Sequence, residues 1–354
     1  MASTEAVARP GRWRWVAWAA GGLLLVGALG GWAAWMRVAP WFSQVNAQEP
    51  WVLEVHPGTG EWAAYRAVEG ADATEAGVVP ERAAVPEEWV ESVRAALGLR
   101  DWTARPGRYR FSGAETGADV ARRLADGVRE TVELVVPAHR DPAVVAATVG
   151  RQVFADSVTL ARAFALDSLG WMLRPNTYEV YWEIEGEALV ERLVEASEAW
   201  WTEARLGQAE ALGLSPREVV VLASIVQEET NVLAEAPSVA GLYLNRLRIG
   251  MALQADPTLK FARGDWTIQR LLDVDKLVDS PYNTYLHTGL PPGPIRIPES
   301  AYVDAVLQPE KHNYLFMCAR ADGQPGHAFA VDYAAHLRNA RAYQEMLNRN
   351  GIFR

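Results

Sequence analysis

Cysteine and lysine are both scarce in this chain. Cys318 is the sole cysteine among 354 residues, which excludes an internal disulfide and a cysteine-built zinc site. A large extracytoplasmic domain is stable without a disulfide. Lysine occurs only at positions 260, 276 and 311, each in polar, loop-like surroundings. None of the three suits a Schiff base with pyridoxal phosphate, which requires a desolvated or otherwise activated amine. The net charge is −10, which argues against nucleic acid as a partner, because phosphates are neutralised by clustered cations. The sequence contains no P-loop, no G-x-G-x-x-G after a strand, no H-E-x-x-H and no G-x-S-x-G. No residue set suggests a metal, and no cofactor is expected. Internal repeats and low-complexity tracts are also missing.

Hydrophobic residues, by contrast, make up 50% of the chain, enough for a sizeable core. The length suits two domains, or one large domain with an extension. Fifteen tryptophans are many, and tryptophan suits both membrane interfaces and sugar-stacking surfaces. Residues 15–36, "WVAWAAGGLLLVGALGGWAAWM", carry no charge. At about 1.5 Å per residue this stretch spans a hydrocarbon core of roughly 30 Å. Arg9, Arg12 and Arg14 precede it, while Arg37 alone follows closely. The excess of positive charge places residues 1–14 in the cytoplasm and the rest outside. Trp15 and Trp18 lie near one end and Trp32 and Trp35 near the other, as an aromatic belt would. A cleaved signal peptide is the competing reading, but its apolar region runs about 7–15 residues. The small-residue site at Val45-Asn46-Ala47 lies well past the apolar run. The expectation is therefore an uncleaved single-pass membrane anchor, followed by a stalk over 37–50.

A small mixed α/β unit is expected over 51–137. "WVLEVHPGTG" alternates and then turns at Pro57-Gly58, "PEEWVESVRAALGL" (86–99) has helical spacing, and "ARPGRYRFSG" (104–113) reads as a turn entering a strand. "TGADVARRLADG" (116–127) predicts a helix capped by Thr116 and stopped by Gly127, and "VRETVELVVP" (128–137) predicts another strand. The second domain runs over 138–354. Residues 141–212 read as mostly helix, interrupted at "LRPNTYEVYW" by a turn at Pro175-Asn176. The fold class expected for the whole is α+β.

Ser215-Pro216-Arg217-Glu218 is a capping box with proline at the first helical position. The helix that follows, "REVVVLASIVQEET", ends on two adjacent glutamates. Glu229 follows Val226, Ile225 and Leu222 by three, four and seven residues, so it extends the apolar stripe. Glu228 lies about 100 degrees around. Periodicity leaves two readings open: a solvated helix end, or an acid in a cleft whose neutral form is favoured by lost hydration. A second helix is expected over 236–250, stopped by Gly250. "SPYNTYLHTGLPPGPIRIPES" (280–300) is dense in Tyr, Asn, Thr, Gly and Pro. It reads as a loop that buries no core but presents amide and phenol groups on a rigid frame.

"LASIVQEET", "LNRLRIGMALQADPT", "SPYNTYLHTGLPPGPIRIP" and "GHAF" together resemble, in residues, order and spacing, the endolytic murein transglycosylase family (MltG/YceG-like). "RPGRYRF" and "LGWMLRPNTYEV" resemble other segments of that family, and the resemblance runs from about Trp51 to the C-terminus. It implies a membrane-anchored enzyme that cuts nascent peptidoglycan glycan strands internally, with a LysM-like module over 51–137 before a catalytic domain over 138–354. Glycan-polymerising synthases (penicillin-binding proteins) are the implied protein partners. The catalytic glutamate of the family motif S-I-[IV]-E-x-E-T falls on Glu229. Gln227 replaces the first acidic position, so a carboxylate there is dispensable. Arg174 and Asn176 depart from the aromatic and the Asp that the family usually carries around the proline of "LRPNTY".

The resemblance implies that Glu229 protonates the bridging oxygen between N-acetylmuramic acid and N-acetylglucosamine, then takes the proton of the muramyl C6 hydroxyl. Gln254, Asp256, Tyr282, Asn283, Tyr285 and His327 are the candidate substrate-binding residues. Asp256 is also the best candidate for the second carboxylate that a hydrolase would need. A turn carboxylate before Pro257 is its alternative role, and a satisfied turn histidine is the alternative for His327. Two rival functions remain beside the transglycosylase: a non-catalytic scaffold binding glycan or synthases, and a peptidoglycan hydrolase.

Overall fold

The computed structural model describes residues 39, 50–57, 62–66, 105–268 and 271–349. The predicted membrane span over 15–36, the tail over 1–14, almost all of the stalk and the helix predicted over 86–99 lie outside the described residues. Among the described residues no helix is long and apolar enough to cross a membrane. The chain divides into two compact units. The first runs to Thr131 and takes in Tyr181–Glu183, and the second holds Val132–Val180 and Ile184–Arg354.

In the first unit, β1 (Trp51–Val55) is the middle strand of an antiparallel sheet. Its neighbours are β2 (Trp62–Arg66) and β3 (Gly107–Phe111). All five residues of β1 are buried, as befits a central strand. The register sets Trp51 opposite Phe111, and the two rings stack at 4.5 Å. It also sets Glu54 opposite Arg108, whose guanidinium lies 3.2 Å from the buried carboxylate. An opposite-charge cross-strand pair of this kind satisfies a carboxylate that the pleat would otherwise desolvate unpaired. Helix α1 (Gly117–Asp126) follows, with the expected Thr116 cap completed by Asp119 and the expected stop at Gly127.

The second unit begins with β4, which as a whole spans Thr131–Val136 and alternates exposed and buried residues. Helices α2 (Pro142–Gly150) and α3 (Ser157–Ala163) are capped by Asp141 and Asp156. Where a turn was predicted at Pro175-Asn176, strand β5 (Asn176–Tyr181) begins and pairs with β4. Proline lacks an N–H, so it fits immediately before the strand rather than inside it, and Thr177, Tyr178, Val180 and Tyr181 favour extended backbone. Helices α4 (Gly186–Trp200), α5 (Glu203–Leu212), α6 (Pro216–Glu229), α7 (Ala236–Arg248), α8 (Asp256–Arg263) and α9 (Ser300–Leu307) come next. The hairpin of β6 (Phe316–Ala319) and β7 (His327–Ala330) and helix α10 (Tyr333–Arg349) complete the unit.

Helix α6 is the axis of the core. Its residues from Val219 to Gln227 are all buried, with α5, α7, α8 and α9 packed around it. A helix buried on every side is held by its neighbours rather than by amphipathicity. Gly241 lets the chain pass close to α7, since a Cβ there would lie 2.5 Å from the Glu310 carbonyl oxygen.

The segment 280–300 corrects one expectation, because it does bury core. Ile295 and Ile297 are fully buried, and Ile295 belongs to the same apolar cluster as α6. The backbone N–H of Ile295 donates to the Ser224 hydroxyl at 3.0 Å, and that of Ile297 to the His139 carbonyl at 3.0 Å. Such a segment can enter a core because its backbone groups find partners other than water.

Candidate active site

The end of α6 sends its two glutamates into different surroundings. The capping box at Ser215 and Glu218 is formed as expected, which fixes the helical phase from the start. Glu228 is nearly sealed, with its side chain 2% exposed. Arg140 donates to both its oxygens at 2.7 and 2.9 Å, and Arg296 donates to Oε1 at 2.7 Å. Two guanidinium groups thus hold Glu228 as a structural carboxylate. Among the described residues, none gives Glu229 a comparable cation contact. It lines a cleft of about 290 Å³. Burial pushes its carboxyl up to about 7, the Tyr243 hydroxyl draws it down, and the charge of Asp256 raises it further. Arg246 and Lys260 oppose the rise from a distance.

The cleft is built largely from α7, α8 and the β6–β7 hairpin. Tyr243 and Arg246 project from α7 three residues apart, on one face. The Tyr243 hydroxyl donates to Oε1 of Glu229 at 2.7 Å. Burial, followed by the Glu229 charge, holds that phenol well above its usual range, so it remains a donor. Arg246 donates to the carbonyls of Leu315 and Leu253, and ties the approach to β6 to the segment before α8. Asp256 is the first residue of α8 and accepts from the Tyr285 hydroxyl at 2.5 Å. Burial and this bond raise the Tyr285 phenol far above its usual value. Gln254 also lines the cleft, and it is the one residue other than glycine with positive φ, at 47°, among those described. Its backbone is held there by the bonds that Gln254 and Ala255 donate to Thr284, and strain of this kind is kept where the surroundings fix it.

His327 opens β7 and lines the same cleft. Its Nδ1 lies 2.8 Å from Oε1 of Glu235, and its backbone N–H donates to Oε2 at 3.0 Å. His327 is thus hydrogen-bonded at the start of β7 and also lines the cleft. Gly326 makes the approach possible, with φ at 107° and no room for a Cβ beside Glu235. Burial opposes the Glu235 charge, but hydrogen bonds from Thr230 and His327 outweigh it and hold the carboxyl below its usual value.

Of the predicted residues, Glu229, Gln254, Asp256, Tyr285 and His327 meet in the cleft. Tyr282 and Asn283 do not line it. Asn283 is fully buried; its amide donates to the carbonyls of Lys276 and Val278, and its oxygen accepts from the Tyr285 N–H. With its polar groups consumed, it shapes the loop that carries Tyr285. Tyr282 packs its ring against Phe261 at 4.6 Å. Gln227 exchanges two hydrogen bonds with Glu299, a clamp that an amide makes and a second carboxylate could not. Arg174 lies 4.0 Å over the ring of Trp200 and donates to Ser300.

Sequence reasoning missed Tyr243, Arg246, Phe316, Tyr333 and His336, which also line the cleft. Tyr243 and Arg246 carried a signal, being polar groups three residues apart on one face of a largely apolar helix. The other three come from the last sixth of the chain, and nothing in their local pattern points to Glu229. Among the described residues no group of three or more His, Cys, Asp or Glu side chains could hold a metal ion.

A sequence model of the YceG-like family matches residues 70–342, and so takes in every residue of this cleft. The chain belongs to the YceG-like family. It is 39% identical over 111 residues to the endolytic murein transglycosylase of Bacillus subtilis (strain 168), a match covering 31% of each protein. It is 26% identical over 151 residues to the endolytic murein transglycosylase of Streptococcus pneumoniae serotype 2, covering 42% of this chain and 27% of that one. The matches thus span about a third or less of the length of these relatives. A crystal structure of a YceG-like protein from Listeria monocytogenes superposes with a TM-score of 0.50 at 20% identity. That superposition covers 82% of this chain and 99% of the other, and shows the mixed α+β fold as a shared one.

Proposed function

We propose that this YceG-like chain is a membrane-anchored endolytic peptidoglycan transglycosylase. It would cleave the bond between N-acetylmuramic acid and N-acetylglucosamine inside nascent glycan strands. The observation that carries the proposal is Glu229, a carboxyl in a cleft whose burial pushes its pKa up to about 7. A group poised near neutral pH can both give and take a proton, which is what this reaction asks of one residue.

Tyr243 occupies Oε1, so Oε2 is the oxygen that would carry the proton. That proton passes to the bridging oxygen as the C1–O bond breaks, and positive charge develops at C1 of the muramyl residue. Asp256, held by Tyr285 in the same cleft, would stabilise that charge. The muramyl C6 hydroxyl then adds to C1 and returns its proton to Glu229. The product ends in a 1,6-anhydro ring, no water is consumed and the acid is regenerated. Gln254 and His327, at the cleft wall, are the groups to hold hydroxyl or acetamido groups of the strand.

The relatives carry the activity in their names, which supports this reading of the cleft. The uncharged stretch at 15–36 supports a single-pass anchor in the inner membrane with the catalytic unit outside. A LysM-like module before the catalytic unit, contacts with glycan-polymerising synthases and a role in limiting strand length belong to the same proposal. Asp256 supports a second reading, a hydrolase with two carboxylates. Mass spectrometry of glycan strands after incubation with the protein separates the two. Anhydro ends lost in Glu229→Gln establish the transglycosylase; reducing ends would establish the hydrolase, and cutting by Glu229→Gln would overturn both.

A further inference from the structure

Part of the wall of the cleft is a cluster of three rings that the mechanism does not use. Phe316 comes from β6, and Tyr333 and His336 come from one face of α10, three residues apart. The His336 ring lies 5.5 Å from Phe316 at 25°, and the Tyr333 ring 5.8 Å from Phe316 at 55°. Tyr333 and His336 are 6.1 Å apart. The cluster is anchored from below, since the Arg246 guanidinium sits 5.7 Å from the Phe316 centroid. Tyr333 nevertheless keeps 59% of its surface exposed. The wall is also electrically neutral. Burial, helped by Arg246, lowers the His336 imidazole, and its Nδ1 is buried with no hydrogen-bond partner. Arg246 donates through Nε and Nη1 to two backbone carbonyls, which fixes its guanidinium beside Phe316.

A neutral aromatic face at the edge of a polar cleft suits a ligand with one apolar and several polar sides. A pyranose ring in a β-linked glycan is such a ligand. Its axial C–H groups form an apolar, weakly positive face that complements the negative face of an aromatic ring. The three rings themselves offer no salt-bridge partner to a phosphate or a charged peptide, and a lipid chain would leave the adjoining polar groups of the cleft unpaired. We infer that Phe316, Tyr333 and His336 form a saccharide-stacking platform, on which Tyr333 holds a pyranose ring of the strand beside the bond to be cut. The inference rests on the reading of the Glu229 cleft as the site of glycan cleavage, and adds the subsite that binds the strand.

The test uses the full-length protein in detergent micelles and uncleaved peptidoglycan glycan strands. In a Glu229→Gln background, Tyr333→Ala is expected to raise Kd for the strands about tenfold, and Tyr333→Phe to leave it unchanged. In the active protein, Tyr333→Ala is expected to raise KM by the same factor with kcat nearly constant. An unchanged Kd and KM would overturn the platform, as would a fall in kcat alone or a Tyr333→Phe variant as weak as Tyr333→Ala. Absence of any strand binding by the Glu229→Gln protein would overturn it too. Cleavage by Glu229→Gln would instead overturn the reading of Glu229, while the Kd comparison still judges the platform.

Discussion

Two sides of one helix end handle a buried carboxylate in opposite ways. Glu228 is bound by two cations, Arg140 and Arg296, within hydrogen-bond distance. Glu229, the next residue, is given a phenol instead, and its carboxyl rises to about 7. Desolvation alone does not separate them, since both side chains are withdrawn from bulk water. The deciding difference is the charge of the partner. A cation makes a carboxylate permanent and structural, whereas a neutral donor leaves it able to take up a proton. The comparison also shows why an Asp or Glu count near a cleft is a poor guide to chemistry.

The comparison is broken most severely at Glu229. Replacement by glutamine keeps the shape and the hydrogen bond to Tyr243 but removes the transferable proton. Cleavage of glycan strands should fall by about 10²–10⁴-fold, with the melting temperature held or raised because a desolvated acid is gone. Loss of fold instead of rate would mean that Glu229 is structural as well. At Glu228 the same substitution should do the reverse. It leaves Arg296 buried and Arg140, whose side chain is 47% exposed, without their anion. The expected loss is about 3 kcal/mol, the low end for a broken buried pair because Arg140 can recover water, and chemical denaturation would measure it. The pH profile of cleavage should keep its midpoint, and a displaced midpoint would show that Glu228 belongs to the chemistry.

This division was only half legible in the sequence. The phase of α6 was fixed by Ser215, Pro216 and Glu218, so the placing of Glu229 on the apolar stripe followed from spacing alone. What Glu228 meets was not legible, because Arg140 and Arg296 lie 88 and 68 residues away along the chain. The same limit explains the segment 280–300. Its composition suggested a polar frame, and Tyr285 does reach the cleft, but the burial of Ile295 depends on a hydroxyl of α6 that no local pattern announces. The side-chain chemistry that makes Tyr282 and Asn283 candidates is engaged by the fold with Phe261 and with loop carbonyls. The rings of α10 were missed for the opposite reason: as aromatic residues in a plain amphipathic helix, they show their role only beside β6.

Ser224 sharpens the comparison on the structural side. Its hydroxyl donates to the Val221 carbonyl at 2.7 Å and accepts from the Ile295 N–H. Ser224→Ala leaves that buried N–H without a partner, so the fold should lose about 1–3 kcal/mol. Because Tyr285 is carried by the same segment, KM should rise more than kcat falls. A variant as stable as the wild type would mean that the Ile295 N–H finds another acceptor.

Tyr243→Phe tests the electrostatic side with the smallest change, one oxygen atom. Burial sets the high position of the Glu229 carboxyl, and the Tyr243 hydroxyl opposes it by donating to the ionised form. Removing the hydroxyl therefore raises the carboxyl above about 7, because the ionised form loses its donor while the protonated form loses less. The chemistry begins with the protonated acid, so the wild-type rate should fall as pH rises through that value. In Tyr243→Phe the fall should begin at higher pH, and the variant should gain on the wild type at the alkaline end even if its maximum is lower. The check is kcat/KM for glycan strands measured across the neutral range on both proteins. An alkaline limb that stays in place would mean that the group titrating in the profile is not Glu229, and would make Asp256, the other carboxyl group lining the cleft, the next residue to replace.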